Sequence, residues 1–141
     1  MNRRFVLLAT LLLNIFVIGI ASAAERAIVP VAGSTAGANG SNFRTEMQLH
    51  NPGTGVMRGT IVFMPQAAAA RVAPKATLEY EIGAKKTLRY ADVIAALGAS
   101  GLGSLDVVPS EGALPRIVVR AFDDQGNFGT RGLVVPAVKE S

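Results

Sequence analysis

The chain has one histidine, His50, and it follows the strand-like stretch "FRTEMQL" and precedes Asn51-Pro52-Gly53. An imidazole beside a turn suggests acid–base or metal chemistry, and each needs partners. A zinc site takes three or four ligands. There is no cysteine and no second histidine to supply them. A His-activated nucleophile needs a serine presented on a strand–Gly-x-Ser-x-Gly–helix elbow, which the sequence lacks. His50 therefore reads as a surface residue at a strand end. Glu79 and Glu81 stand two apart in "LEYEI". In a strand both project from one face about 7 Å apart, a spacing that suits paired carboxylates in sugar hydrolysis. Without an aromatic-lined cleft around them they read instead as a solvated strand face. Asp123-Asp124-Gln125-Gly126-Asn127 gathers oxygen donors around a glycine. The Asp-x-Asp-x-Asp-Gly calcium loop with its distal glutamate is absent, and a hairpin turn accounts for the same residues. None of the glycine-rich stretches matches a phosphate loop. No catalytic, cofactor-binding or metal-ligating residues are assigned, and no cofactor is expected.

Sugar binding would need exposed aromatic platforms. Phe43, Phe63, Tyr80 and Tyr90 fall at core-facing positions, leaving Phe122 and Phe128, and there is no tryptophan.

The N-terminus addresses the compartment. Arg3 and Arg4 precede a nearly uninterrupted apolar run from Phe5 to Ile20, followed by Ala21-Ser22-Ala23. That order is a secretory signal peptide of the general route, residues 1–23, cleaved after Ala23 or after Ala24. The alternative, an uncleaved anchor, is disfavoured because a span needs about 20 apolar residues. Residues 24–141 form one domain with a modest core. Two of the 14 basic residues lie in the leader, so the exported part is only weakly basic and carries no cation cluster of the kind that tracks a phosphate backbone. Nucleic acid is not expected, and a membrane only through the leader. The absence of cysteine excludes lipid attachment and disulfides, so stability rests on packing.

The elements that must position these residues are short strands. Ala27–Ala32 contains Pro30, which points to an edge strand or a strand start. Gly33–Asn42 is a loop. Phe43–His50 and Met57–Met64 alternate with period two around the Asn51–Gly55 turn, predicting an antiparallel hairpin. Pro65–Ala76 is a loop. Strands follow at Leu78–Ile82 and Thr87–Tyr90. Tyr90, Val93, Ile94 and Leu97 have helical spacing, with Asp92 early and Gly98 at the end, predicting a helix of about two turns. "ASGLGS", 99–104, reads as a turn and Leu105–Val108 as a strand. Pro109–Pro115 is a loop, Ile117–Phe122 a strand, Phe128–Val135 the last strand, and Pro136 onward a tail. Seven or eight strands with one short helix predict an all-β, immunoglobulin-like antiparallel sandwich, with a small barrel or jelly roll as the alternative.

The stretches "VPVAGSTAGANGSNFRTEMQLHNPG", "SGLGSLDVV" and "RIVVRAFDDQGNFGTRGLVVPAV" resemble a recurrent, uncharacterised type of exported bacterial domain. The resemblance covers most of the exported part and implies an immunoglobulin-like sandwich of the kind attached to surface or secreted proteins. It implies no catalytic residues. The expected role is a non-catalytic structural or protein-interaction module of the bacterial cell envelope or exterior, periplasmic or extracellular. Its partner would be a protein or envelope component, or another copy of the chain. The alternative is a small-ligand or glycan-binding accessory domain. The expected contact regions are the loops Gly33–Asn42, Pro65–Ala76 and Pro109–Pro115.

Overall fold

The computed structural model describes residues 25–66 and 75–140. The leader, its cleavage site and most of the Pro65–Ala76 loop lie outside the described residues. Nine strands form: β1 (Arg26–Ala36), β2 (Asn42–His50), β3 (Met57–Pro65), β4 (Ala76–Ile82), β5 (Thr87–Tyr90), β6 (Gly101–Pro109), β7 (Arg116–Asp124), β8 (Thr130–Val135) and β9 (Val138–Glu140). A short helix, α1 (Val93–Ala96), follows β5.

All strand pairs are antiparallel. One layer runs β4-β3-β6-β1-β9 and the other β5-β2-β7-β8. The last residues of β1 join the two layers by pairing with the start of β2, Thr35 opposite Phe43. The chain is thus an all-β antiparallel sandwich with one short helix. Among the described residues its strand path ends at β4 and β8 and does not close into a barrel.

Period-two alternation fills the space between the layers. Val29, Ile61, Phe63, Ile82, Leu105 and Val107 come from the first layer, and Met47, Leu49 and Val119 from the second; all are at most 2% exposed. Helix α1 adds Val93 and Ile94, both fully buried. It spans one turn rather than two. The Asp92 carboxylate accepts from the Ile94 and Ala95 amides, both at 3.2 Å. Gly98 takes a left-handed φ of 68° and stops the helix. Tyr90 belongs to β5, not to the helix.

Phe43–His50 and Met57–Met64 do not form a hairpin. β2 pairs with β1, β5 and β7, whereas β3 pairs with β4 and β6. The Asn51–Val56 connection crosses from one layer to the other. Alternation identifies the buried face of each strand but carries no information on its neighbour, and two strands facing one core from opposite layers alternate just as hairpin strands do.

Five local assignments also differ from the sequence expectation. Pro30 lies inside β1 rather than at a strand start. β9 covers only Arg26–Ile28, so among the described residues β1 pairs with β6 alone at Pro30, which sits in a bulge where Pro30 and Val31 face the single residue Ser104. A bulge leaves one residue outside the ladder, so the missing amide is tolerated there. Gly33–Ala36 extend β1 rather than beginning a loop, and Gly101–Ser104 are strand, not turn. A Cβ at Gly103 would lie 2.2 Å from the Met64 carbonyl oxygen, so this glycine marks close backbone approach within the sheet. Val138–Glu140 is a strand pairing with Arg26–Ile28, not a tail. Phe128 belongs to a 3₁₀ turn, Gly126–Phe128, ahead of β8.

Where β1 leaves β6 for β2, the buried Thr45 hydroxyl replaces a ladder contact. It accepts from the Gly33 amide at 2.7 Å and donates to the Gly33 carbonyl at 2.9 Å. Both backbone groups would otherwise be buried without partners, which is costly.

Candidate functional site

The residues singled out for chemistry are separated by the fold. His50 ends β2 on the outer face of its layer, and its Nδ1 lies 2.9 Å from the Thr87 hydroxyl on β5. Its neighbour across β7 is Arg116. No carboxylate or serine is described in contact with it. Glu79 and Glu81 project from the outer face of β4 in the opposite layer. The Glu81 carboxylate accepts from Arg58 Nε at 2.9 Å, and Glu79 stands opposite Thr60. Arg58, Thr60, Glu79, Glu81 and Ser110 surround a hollow of about 320 Å³.

The Asp123–Asn127 stretch forms the β7–β8 turn. Asp123 accepts from the Asn42 amide at 2.7 Å and from the Gln125 side-chain amide at 2.8 Å. The Asn42 bond first, then the Gln125 bond, hold its carboxyl below the usual carboxylate range. Asp124 accepts from the Gly126 amide at 3.1 Å and pairs with Arg44 at 3.4 Å. Both carboxylates thus serve the turn and its attachment to β2. Among the described residues no cluster of three or more His, Asp or Glu could hold a metal.

Tyr80 lies inside the sandwich, 3% exposed, opposite Gly59, and its hydroxyl has no hydrogen-bond partner. A Cβ at Gly59 would be 2.4 Å from that hydroxyl, so the ring lies over the glycine on the inner face. Gly59 and Tyr80 also border the polar hollow between β3 and β4, but the Tyr80 hydroxyl itself is buried. Burial pushes the phenol up to about 12. A raised folded-state value means that the neutral form contributes stability in full below the unfolded value of about 10, and that this is lost as pH rises towards 12. Tyr80→Phe is expected to fold with equal or higher stability at pH 7, by up to about 1 kcal/mol, and to flatten the loss of stability between pH 10 and 12. Denaturant midpoints across that range check both statements; a parallel loss in both proteins would show that Tyr80 does not titrate with unfolding.

The aromatic expectation needs one correction. Phe63 and Tyr80 are buried, but Phe43 is 44% exposed. It sits at the start of β2, at the rim of the layer, packed over Gly37. Phe128 is the most exposed large hydrophobic residue among the described residues, at 91%.

The expected contact loops do not converge. Strand register puts residues 37–41, Gln66, Lys75 and residues 125–129 at one end of the sandwich, and 51–56, 83–86 and 110–115 at the other. What sequence reading missed is the apolar surface on the strands themselves. Among the described residues β8 pairs with β7 alone and ends the strand path. Leu133 and Val134, on opposite faces of β8, are 65% and 69% exposed. With Phe128 they make the β7–β8 hairpin an arm that is apolar on both sides. A second apolar feature, a groove of about 530 Å³, opens at the β1 bulge between Pro30, Val31, Met64 and Leu102. The apolar run "GLVV" reads in sequence only as part of the last strand; that both of its faces reach water depends on its place at the end of the strand path.

No family model and no curated protein matches this sequence. Among solved structures the chain is similar to the crystal structure of Thermotoga maritima 1070. The TM-score is 0.56 at 14% identity, over 82% of this chain and 94% of that one. At that identity the likeness concerns the fold alone.

Proposed function

We propose that this chain is an exported, non-catalytic structural or protein-interaction module of the bacterial cell envelope or exterior. The observation that carries the reading is the β7–β8 arm. An unpaired edge strand with exposed leucine and valine on both faces is a liability that proteins normally blunt with charge, proline or cover. Such an edge is suited to accept a partner strand or to pack against a partner surface. The leader-like N-terminus supports export, and the scattering of His50, Glu79 and Glu81 supports a role without catalysis. Leu133→Lys combined with Val134→Lys is expected to leave the thermal midpoint within about 2 °C, because both side chains are already in water. The same change is expected to release the protein from any larger particle in the exported fraction, read by native size. An unchanged particle would remove the arm from the interaction.

A second reading, a small-ligand or glycan-binding accessory domain, is favoured by the polar hollow at Arg58, Glu79 and Glu81. Sites of this kind usually present a few convergent polar groups in a concavity of about 300 Å³ or more. A glycan or small-molecule stabilisation screen in which Glu79→Ala removes a thermal shift would support it.

A further inference from the structure

The outer faces of the two layers carry opposite charge. On the β5-β2-β7-β8 layer, register places Arg44, Arg89, Arg116 and Arg120 outward with only Glu46 and Asp124. Glu46 is bonded to Arg89 at 2.6 Å, and Asp124 pairs with Arg44. The Arg89 hydrogen bond first, then the Gln48 bond, hold the Glu46 carboxyl below its usual range, so it stays ionised. Among the described residues neither Arg116 nor Arg120 has a carboxylate within 4 Å, although Arg120 stands opposite Glu46 and adds to its stabilisation; Arg120 lies 4.9 Å over the Phe122 ring and donates to Thr130. On the β4-β3-β6-β1-β9 layer the balance is inverted. Glu79, Glu81, Asp106 and Glu140 face outward with only Arg26 and Arg58. Arg26 is shared between Asp106 at 3.4 Å and Glu140 at 2.6 Å, and Glu79 has no described cation.

Each face also exposes apolar side chains among its charges. Val118 and Val134 are 54% and 69% exposed on the basic face, and Val31, Leu102 and Val138 are 57%, 49% and 54% exposed on the acidic one. Two faces of one molecule that match in charge and in apolar content are complementary to each other across two copies.

We infer that the partner of this chain is a second copy, docked with its acidic β4-β3-β6-β1-β9 face on the basic β5-β2-β7-β8 face of the first. The contact joins unlike surfaces, so each added copy leaves one face of each kind open, and the assembly grows as a ring or a filament rather than stopping at a two-fold pair. The inference rests on the interaction-module reading and names the partner within it. Both faces are available without unfolding any element.

The test is sedimentation velocity on the protein purified from the exported fraction of its producer, over a range of concentrations. At about 10 mM salt, where screening extends to about 30 Å, species larger than one chain are expected. At about 1 M salt, with screening within about 3 Å, the dissociation constant should rise at least about tenfold. Arg116→Glu with Arg120→Glu makes both faces acidic, and Glu79→Lys with Glu81→Lys makes both basic. Each variant alone is expected to stay a single chain, folded with a modestly lowered thermal midpoint because like charges then face each other at the Glu46–Arg120 and Arg58–Glu81 positions, and an equal mixture of the two is expected to associate again. A wild-type protein that is one chain at every salt and concentration overturns the inference, as does association that ignores salt or a mixture that stays apart. If the purified protein is a single chain while the native particle holds it with another protein, self-docking fails and the interaction-module reading stands. If the native particle is also a single chain, both fail.

Discussion

Asn51→Asp is expected to be the most damaging single-atom change in the described part of the chain, lowering stability by about 3–5 kcal/mol at pH 7. Asn51 is fully buried in the connection that crosses between layers. Its side-chain amide donates to the carbonyls of Gly55 at 2.7 Å, Ile82 at 2.9 Å and Gly83 at 3.2 Å. Its side-chain oxygen accepts from the Gly53 amide at 2.8 Å, and its own backbone amide donates to the Lys86 carbonyl at 2.9 Å. One side chain therefore closes its own turn and ties it to the β4–β5 turn. Replacing the NH₂ by a carboxylate oxygen leaves the three carbonyls without this donor and faces them with buried negative charge. The carboxyl group introduced would have a raised folded-state pKa, so part of the loss should return as pH falls to about 4 and the acid regains a proton to donate. Asn51→Ala removes the same donors without adding charge and should cost less, about 2–3 kcal/mol, with no recovery in acid. Denaturant midpoints of the three proteins at pH 7 and pH 4 separate these outcomes. A loss below about 1 kcal/mol for Asn51→Asp at pH 7 would mean that this connection is not held as described.

Gly59→Ala is expected to cost about 3 kcal/mol, at the upper end of what overpacking does. The residue is in the middle of β3, where a glycine ordinarily weakens a strand. Here its bare backbone accommodates the Tyr80 ring from the neighbouring strand. A Cβ would lie 2.3 Å from the Val108 carbonyl oxygen and 2.4 Å from the Tyr80 hydroxyl. The carbonyl belongs to the β6 backbone and cannot yield without disturbing the β3–β6 ladder. Because the ring is part of the obstruction, Tyr80→Leu should recover a fraction of the loss in the Gly59→Ala background while being destabilising alone, a coupling measurable by a double-mutant cycle. Simple additivity would show that the two do not share the space.

These two positions illustrate what the sequence made legible. Asn51-Pro52-Gly53 announced a turn, and it is one. That the asparagine side chain would be buried and bonded to Gly83, 32 residues away at the start of the β4–β5 turn, depends on which strands end side by side. Alternation in Phe43–His50 and Met57–Met64 identified the buried faces of both strands with the rim residue Phe43 as the exception, yet it could not distinguish a hairpin from a crossing between layers. Gly101–Ser104 looked like a turn because glycine favours turns, whereas two strand backbones approach closely there. His50, Glu79, Glu81 and Asp123 were legible as residue types, but which layer and which end each would occupy depends on strand pairing. The opposing charge of the two outer faces was not visible, because it arises only when β2, β5 and β7 are gathered in one layer and β1, β3, β4, β6 and β9 in the other.

The central claim is that this protein acts by being held against other molecules rather than by turning them over. The most direct measurement is the intact mass and native size of the protein in each fraction of its producing cell. The account predicts a chain beginning at residue 24 or 25, recovered outside the cytoplasm in a particle larger than one chain. A full-length chain in the membrane, or a processed chain that is a lone particle in every fraction, would contradict it.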